Sequence, residues 1–99
     1  LRAYNIRCDR AFIASGGISA QHGITNRILD RIPLKRQAIE ISRWVAVVAD
    51  GSKIGVAALG YVAAVEAAHH LVTDPSAPQS GLDEIAARGV QVRMWDQGA

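Results

Sequence analysis

The strongest constraint on the fold of this chain is the run Trp44-Val45-Ala46-Val47-Val48-Ala49, stopped by Asp50-Gly51. Six apolar residues, rich in β-branched side chains and closed by a turn pair, predict a strand buried on both faces. Such strands belong mainly to parallel sheets with helices on each side. Ligands on those sheets collect just beyond the carboxyl ends of the strands, and Asp50-Gly51-Ser52-Lys53 falls there. In that turn Asp50 can orient a neighbour, Gly51 permits a tight bend, Ser52 can cap the next segment and Lys53 can meet an anion. A polar turn with a solvated lysine accounts for the same four residues.

The rest of the chain reads around that strand. Leu1 to Cys8 suits the end of an amphipathic helix or a loop entering a strand. Ala11-Phe12-Ile13-Ala14 predicts a short buried strand ended by Ser15-Gly16-Gly17, and a second loop, Gln21 to Asn26, comes soon after. Two glycine-bearing loops give backbone N–H groups room to face an anion, although neither is a Walker loop or a dinucleotide fingerprint. Asp30 or Ile32 precedes a helix with Pro33 in its first turn, where a missing N–H costs little. Leu34, Ala38 and Ile41 fall at helical spacing and are expected to face the sheet, and Arg31 and Lys35 share another face. Gly55 and Gly60 break the alanine-rich segment 54–68 and leave Tyr61-Val62-Ala63 as a short extended piece. His70 to Thr73 predicts a strand ending at Asp74-Pro75. Ser80 with Asp83 resembles a capping box for a helix through Arg88, and Gly89 supplies the stop. Val90 to Trp95 alternates as an edge strand does. The order predicts an α/β chain with a mostly parallel sheet of roughly four strands flanked by helices.

Composition narrows the function classes. Ninety-nine residues, 49% of them apolar, make one small domain or part of a larger one. A net charge of +2 is too small for a nucleic-acid footprint. No apolar run reaches the ~18 residues of a membrane helix. Cys8 is alone and cannot form an internal disulfide, so a reduced, cytoplasmic setting is expected. His69 and His70, adjacent on a strand, would point to opposite faces and lack a third ligand, so neither metal nor cofactor is expected. No nucleophile elbow occurs, and Cys8 beside Asp9 reads as a buried small hydrophobe, so no residue is assigned a catalytic role. The chain opens at Leu1 without an initiator methionine or signal sequence, as a fragment or processed product would.

Read together, Asp9-Arg10-Ala11-Phe12-Ile13, Ser15-Gly16-Gly17-Ile18, Gly23-Ile24-Thr25, Leu34-Lys35-Arg36, Ala49-Asp50-Gly51-Ser52-Lys53, Val72-Thr73-Asp74 and Gly89-Val90-Gln91-Val92 stand in the order seen in the DeoR family of bacterial transcriptional regulators. The chain resembles the latter half of that family's carboxy-terminal sensor domain. That domain is similar in fold to ribose-5-phosphate isomerase, glucosamine-6-phosphate deaminase and the CoA transferases. The resemblance implies a domain that binds a phosphorylated sugar or related metabolite and thereby alters the grip of an amino-terminal winged helix on operator DNA.

Carried over position by position, the resemblance places Asp50, Ser52 and Lys53 at the effector, with Lys53 facing it. Asp9 matches the aspartate of the strand lining the pocket. Gly16, Gly17, Gly23 and Thr25 match the loops beside it, and Lys35 matches the basic position at the next helix. Two departures matter. Arg31 stands where family members often carry a glutamate, which implies a more anionic effector. Leu34 stands where the isomerases carry a catalytic glutamate, and a leucine cannot move a proton. The expected function is therefore effector binding and oligomerisation in a repressor of carbohydrate metabolism, not catalysis. A fragment of a sugar-phosphate isomerase or deaminase is the alternative. The winged helix and the first phosphate loop are expected upstream of Leu1, so operator DNA is expected only through the missing domain. A parallel sheet cut partway leaves an unpaired edge, and a homo-oligomer is expected from it.

Overall fold

The computed structural model describes residues 7–95. In chain order the elements are β1 (Cys8–Ala14), β2 (Gly17–Ser19), β3 (Gly23–Asn26), α1 (Ile32–Ile41), β4 (Ser42–Val48), β5 (Gly60–Ala63), β6 (His70–Thr73), α2 (Gln79–Ala86) and β7 (Gln91–Met94). Four strands form a parallel sheet in the order β1-β4-β6-β7. The chain is thus α/β, with the run from Trp44 at the heart of its sheet. Val45, Ala46 and Val47 are buried there.

Handedness decides where everything else goes. The strand order advances in one direction, and β–crossover–β connections are right-handed, so all three connections lie over the same face. Side chains confirm this. Val47 and Leu71 share one core with Ile18, Ile24, Ile32, Ile54, Leu82 and Ile85 from the connecting segments. Full burial of each such side chain contributes roughly 1.5–3 kcal/mol. Trp44, Val48 and Val72 point from the opposite face and stay half-buried.

Several expectations are corrected. The segment read as two loops, from Ser15 to Asn26, is a β-hairpin. Its strands β2 and β3 pair antiparallel, and β3 pairs with β5, giving a second, three-stranded sheet. The strands are only three and four residues long, and both are buried throughout, so no polar alternation marked them. Strand β1 is longer than expected and mostly exposed. It lies at the sheet edge, where Ile13 is buried but Phe12 is 66% exposed. Cys8, at its start, is only partly buried. Leu34 is 63% exposed, because α1 turns Ile32, Ile39 and Ile41 inward instead. Ser80 forms no capping box: α2 begins at Gln79 after Pro78, and Gln79 Nε2 bonds Asp83 Oδ1 at 2.9 Å. Pro33 lies in the first turn of α1, and Gly89 ends the α2 segment with φ +92°. Of the segment Leu1 to Cys8, residues 1–6 lie outside the described residues.

Candidate functional site

Strands β1, β4 and β6 lie side by side and parallel, so their carboxyl ends deliver Ser15, Asp50 and Asp74 to one rim of the sheet. Each end is turned by a short polar side chain that takes up backbone donors. Asp50 caps a 3-10 turn, Gly51–Lys53: its Oδ1 accepts from Ser52 N–H at 3.0 Å and from the Ser52 hydroxyl. Asp74 does the same one strand over, accepting from Ser76 N–H at 2.8 Å and from the Ser76 hydroxyl. Its second oxygen accepts Gly51 N–H at 3.0 Å, which ties the two loops together. The approach is so close that a Cβ on Gly51 would collide with Ser76 Oγ and Ala77 N. The Ser76 hydroxyl, with the Gly51 and Ser76 N–H groups next in strength, holds the Asp74 carboxyl below its ordinary range.

Asp74 and Ser76 were given no role from the sequence. The signal was present, since Asp74-Pro75-Ser76 repeats the Asp-x-Ser spacing of Asp50-Gly51-Ser52. An aspartate whose side chain captures the N–H two residues on forms an Asx turn in both places.

The third loop is spent on the hairpin. Ser15 Oγ donates to Gly17 O at 2.6 Å and accepts Gly17 N–H at 3.2 Å, while Gly16 N–H donates to Thr25 O at 3.0 Å. Thr25 Oγ1 donates to Gly17 O at 3.0 Å and accepts Ala58 N–H at 2.9 Å. The N–H groups of Gly16 and Gly17 are thus engaged within the protein. A side chain at Gly17 would strike Val56 O, and Gly23, with φ +73°, would strike Ala63 O.

The two candidate lysines differ. Lys35 Nζ donates to Ala14 O at 2.5 Å and to Asn26 Oδ1 at 2.9 Å, clamping the end of β1 to β3. Partial burial, and then the neighbouring Arg31 charge, lower its pKa below the ordinary lysine value. Lys53 is half-buried, and its ammonium makes no hydrogen bond or ion pair among the described residues. Asp9 is not gathered with the others. It lies at the start of β1, five residues before Ala14 and roughly 16 Å from that end at the usual rise of a strand.

A cavity of about 310 Å³ opens elsewhere, between the hairpin tip and α2. Ser19, Gln21, Ile54, Gly55, Ser80 and Glu84 are among its lining residues, and Gln21 Nε2 bonds the Glu84 carboxylate across it. Lys53 does not line it, although its neighbour Ile54 does. The histidines are used locally. His69 Nδ1 accepts Val45 N–H at 3.0 Å, and the His70 ring packs 4.9 Å from Trp44. No cluster of three metal-ligating side chains occurs among the described residues. Among the same residues no helix is long and apolar enough to cross a membrane.

None of the curated proteins compared with the chain matches it. The family model of the DeoR C terminal sensor domain matches residues 2–75, which include the rim loops after β1 and β4, Asp74 of the third loop and both lysines. That span is most of the chain, so the chain belongs to the DeoR C-terminal sensor domain family and has its effector-sensing, regulatory role.

Proposed function

We propose that the sensed effector is a phosphorylated sugar or a related anionic metabolite, and that it docks on the rim where Asp50, Ser52 and Lys53 stand. One observation carries this reading: a half-buried lysine without a partner among the described residues, on a turn whose backbone is pinned by Asp50 and Asp74. Lys53 supplies the charge for the phosphate, and the Ser52 hydroxyl and Asp50 carboxylate meet the polar groups beside it. Asp9, at the far end of β1, takes no part in this rim. The response is that of a cytoplasmic repressor of carbohydrate metabolism, with operator contacts made by a separate winged-helix domain. A homo-oligomer forms through the outer edge of β1, which among the described residues pairs only with β4 and exposes Phe12. Leu34 is apolar and exposed at the position the isomerases give to a glutamate, so no turnover accompanies binding.

Calorimetric titration of the intact protein with sugar phosphates and with the matching free sugars tests this. Lys53→Ala is expected to weaken phosphate-ester binding at least tenfold and leave free-sugar binding unchanged, the loss of one charge-assisted contact. Equal affinity of both proteins for every phosphate ester would refute the site. Light scattering that finds only monomer at micromolar concentrations would refute the oligomer.

A further inference from the structure

The cavity between the hairpin tip and α2 has no part in the rim that carries Lys53, and its volume of about 310 Å³ suits a small molecule. Its wall divides by chemistry. One side is the first turn of α2. The N-cap, Pro78, supplies no side-chain cap, and the helix's first bond runs from Leu82 N–H to Pro78 O. The N–H groups of Ser80 and Gly81 therefore donate to no described residue, and both residues line the cavity. Gly81 has no side chain to screen them, and even a Cβ there would come to 3.0 Å from Ile54 Cγ2. Ser19 lines the same cavity and is only 3% exposed. Its Oγ accepts His22 N–H at 2.9 Å, but its own hydroxyl proton meets no acceptor among the described residues. Buried hydroxyls ordinarily find one. Donors thus converge from the helix terminus and from the hairpin, which calls for an anionic acceptor between them. Across from them stands Glu84, the one charged side chain of the described lining. It lies about a turn further along α2, roughly 6 Å from Ser80 at the usual helical rise. It makes no ion pair among the described residues, and the donor it receives is the neutral amide of Gln21.

We propose that this cavity binds a small free amino acid as its zwitterion. The ligand carboxylate takes the Ser80 and Gly81 N–H groups and the Ser19 hydroxyl, and the ligand ammonium displaces the Gln21 amide from Glu84. A charge-assisted bond from an ammonium is stronger than the neutral amide bond it replaces. Half of such a molecule fits worse. A carboxylate alone faces Glu84 with no charge between them, and an amine alone leaves the N–H groups and the Ser19 proton unanswered. Ile54 and Ala20 give the wall a short apolar stretch, enough for a small side chain. The inference goes beyond the sugar-phosphate reading and does not depend on it, because Lys53 does not line this cavity.

The test follows backbone amide signals of the intact protein by nitrogen-15 NMR, where Ser80 and Gly81 report directly. The probes are L-serine and L-alanine, with ethanolamine and 3-hydroxypropanoate as serine stripped of its carboxylate and of its ammonium. Each amino acid is expected to saturate in the millimolar range and to move the Ser80 and Gly81 signals, and each half-molecule to bind at least tenfold more weakly. Glu84→Gln keeps an acceptor for Gln21 but removes the charge, and is expected to weaken serine binding at least tenfold. Gln21→Ala removes the resident donor, and is expected to bind serine at least as tightly as the parent. Both positions are exposed, and circular dichroism checks the fold of each variant. The half-molecule comparison needs no variant, so it decides even if one misfolds. No saturation by either amino acid up to about 20 mM, equal binding of either half-molecule, or unchanged affinity in Glu84→Gln overturns the proposal. A tenfold loss in Gln21→Ala makes Glu84 a brace for the hairpin instead of a ligand contact, and also overturns it.

Discussion

Replacing Lys35 by methionine separates its work inside the fold from any work on a ligand. Methionine keeps an apolar stem of similar length, so the change isolates the ammonium. Two acceptors lose their donor. Ala14 O sits on the exposed edge strand and can take a water in exchange, at a cost of roughly 0–1 kcal/mol. Asn26 Oδ1 belongs to a residue only 6% exposed, where an abandoned acceptor costs about 1–2 kcal/mol. Relief of a partly desolvated charge beside Arg31 returns roughly 0.5 kcal/mol, the size of a surface charge effect. The net expectation is a loss of about 1–2 kcal/mol, or roughly 5–10 °C in Tm for a domain of this size. Urea titration at neutral pH, monitored by circular dichroism, reads it. In a double-mutant cycle, Lys35→Met with Asn26→Ala should show coupling of about 1 kcal/mol. The pH dependence has a definite sign. A lysine whose folded pKa is lowered binds fewer protons folded than unfolded between the two values, so its charge, as distinct from its hydrogen bonds, opposes folding at neutral pH. Stability of the parent relative to Lys35→Met should therefore rise with pH from the lowered folded value up to the ordinary 10.5. A stability change within about 0.5 kcal/mol, the range of ordinary surface substitutions, together with lost phosphate-ester binding would refute the clamp. Lys35 would then be a ligand-facing cation.

Two further substitutions test the rim and its support. Asp74 has a folded pKa held below its ordinary value, so its contribution is present above 3.8 and lost as pH falls through the folded value. Asp74→Asn should flatten the acid limb of the stability curve, and parallel curves for parent and variant would contradict the Asp74–Gly51–Ser76 account. Thr73 is fully buried and its Oγ1 has no hydrogen-bond partner among the described residues, so Thr73→Val should stabilise the protein by about 1 kcal/mol. A destabilised Thr73→Val in urea titration would show that the hydroxyl is satisfied after all.

How much of this was legible in the sequence depended on the length scale of each signal. The six-residue run from Trp44 named a central parallel strand, because length and β-branching leave few alternatives, but burial on both faces was not met, since Trp44 and Val48 are only half-buried. Pro33 and Gly89 marked helix boundaries through backbone geometry, which needs no partner to be read. The hairpin from Gly17 to Asn26 was missed because its strands are too short for a period to show. Its burial comes from residues far along the chain, with Ile18 bridging to Ile54. The exposure of β1 was missed because edge or centre is a property of strand order, and strand order is not local. At the rim, Asp50, Ser52 and Lys53 were found as a contiguous motif. Asp74 and Ser76 repeat the Asp-x-Ser spacing locally, but their place beside Asp50 comes from the β4–β6 pairing, which no local pattern shows.

The same pairings set Lys35 and Lys53 in different surroundings. The turn bearing Lys53 is held from three directions. Ala49 N–H donates to Val72 O at 3.1 Å, Gly51 N–H to Asp74, and Gly55 N–H to Ile18 O at 2.8 Å in the second sheet. A backbone pinned on both sides of Lys53 leaves mainly the freedom of its own four-carbon stem, so little further ordering is needed when an anion arrives. Lys35 sits on a helix just as firmly, but its ammonium has already found the carbonyl of Ala14 and the amide of Asn26. A ligand calling on Lys35 must first break those bonds and release the hairpin from β1. A ligand calling on Lys53 displaces only solvent from the ammonium, as far as the described residues reach. Charge alone cannot rank the two. Prior commitment can, and it supports the proposal that Lys53, not Lys35, meets the anion, because Lys35 already ties the end of β1 to Asn26.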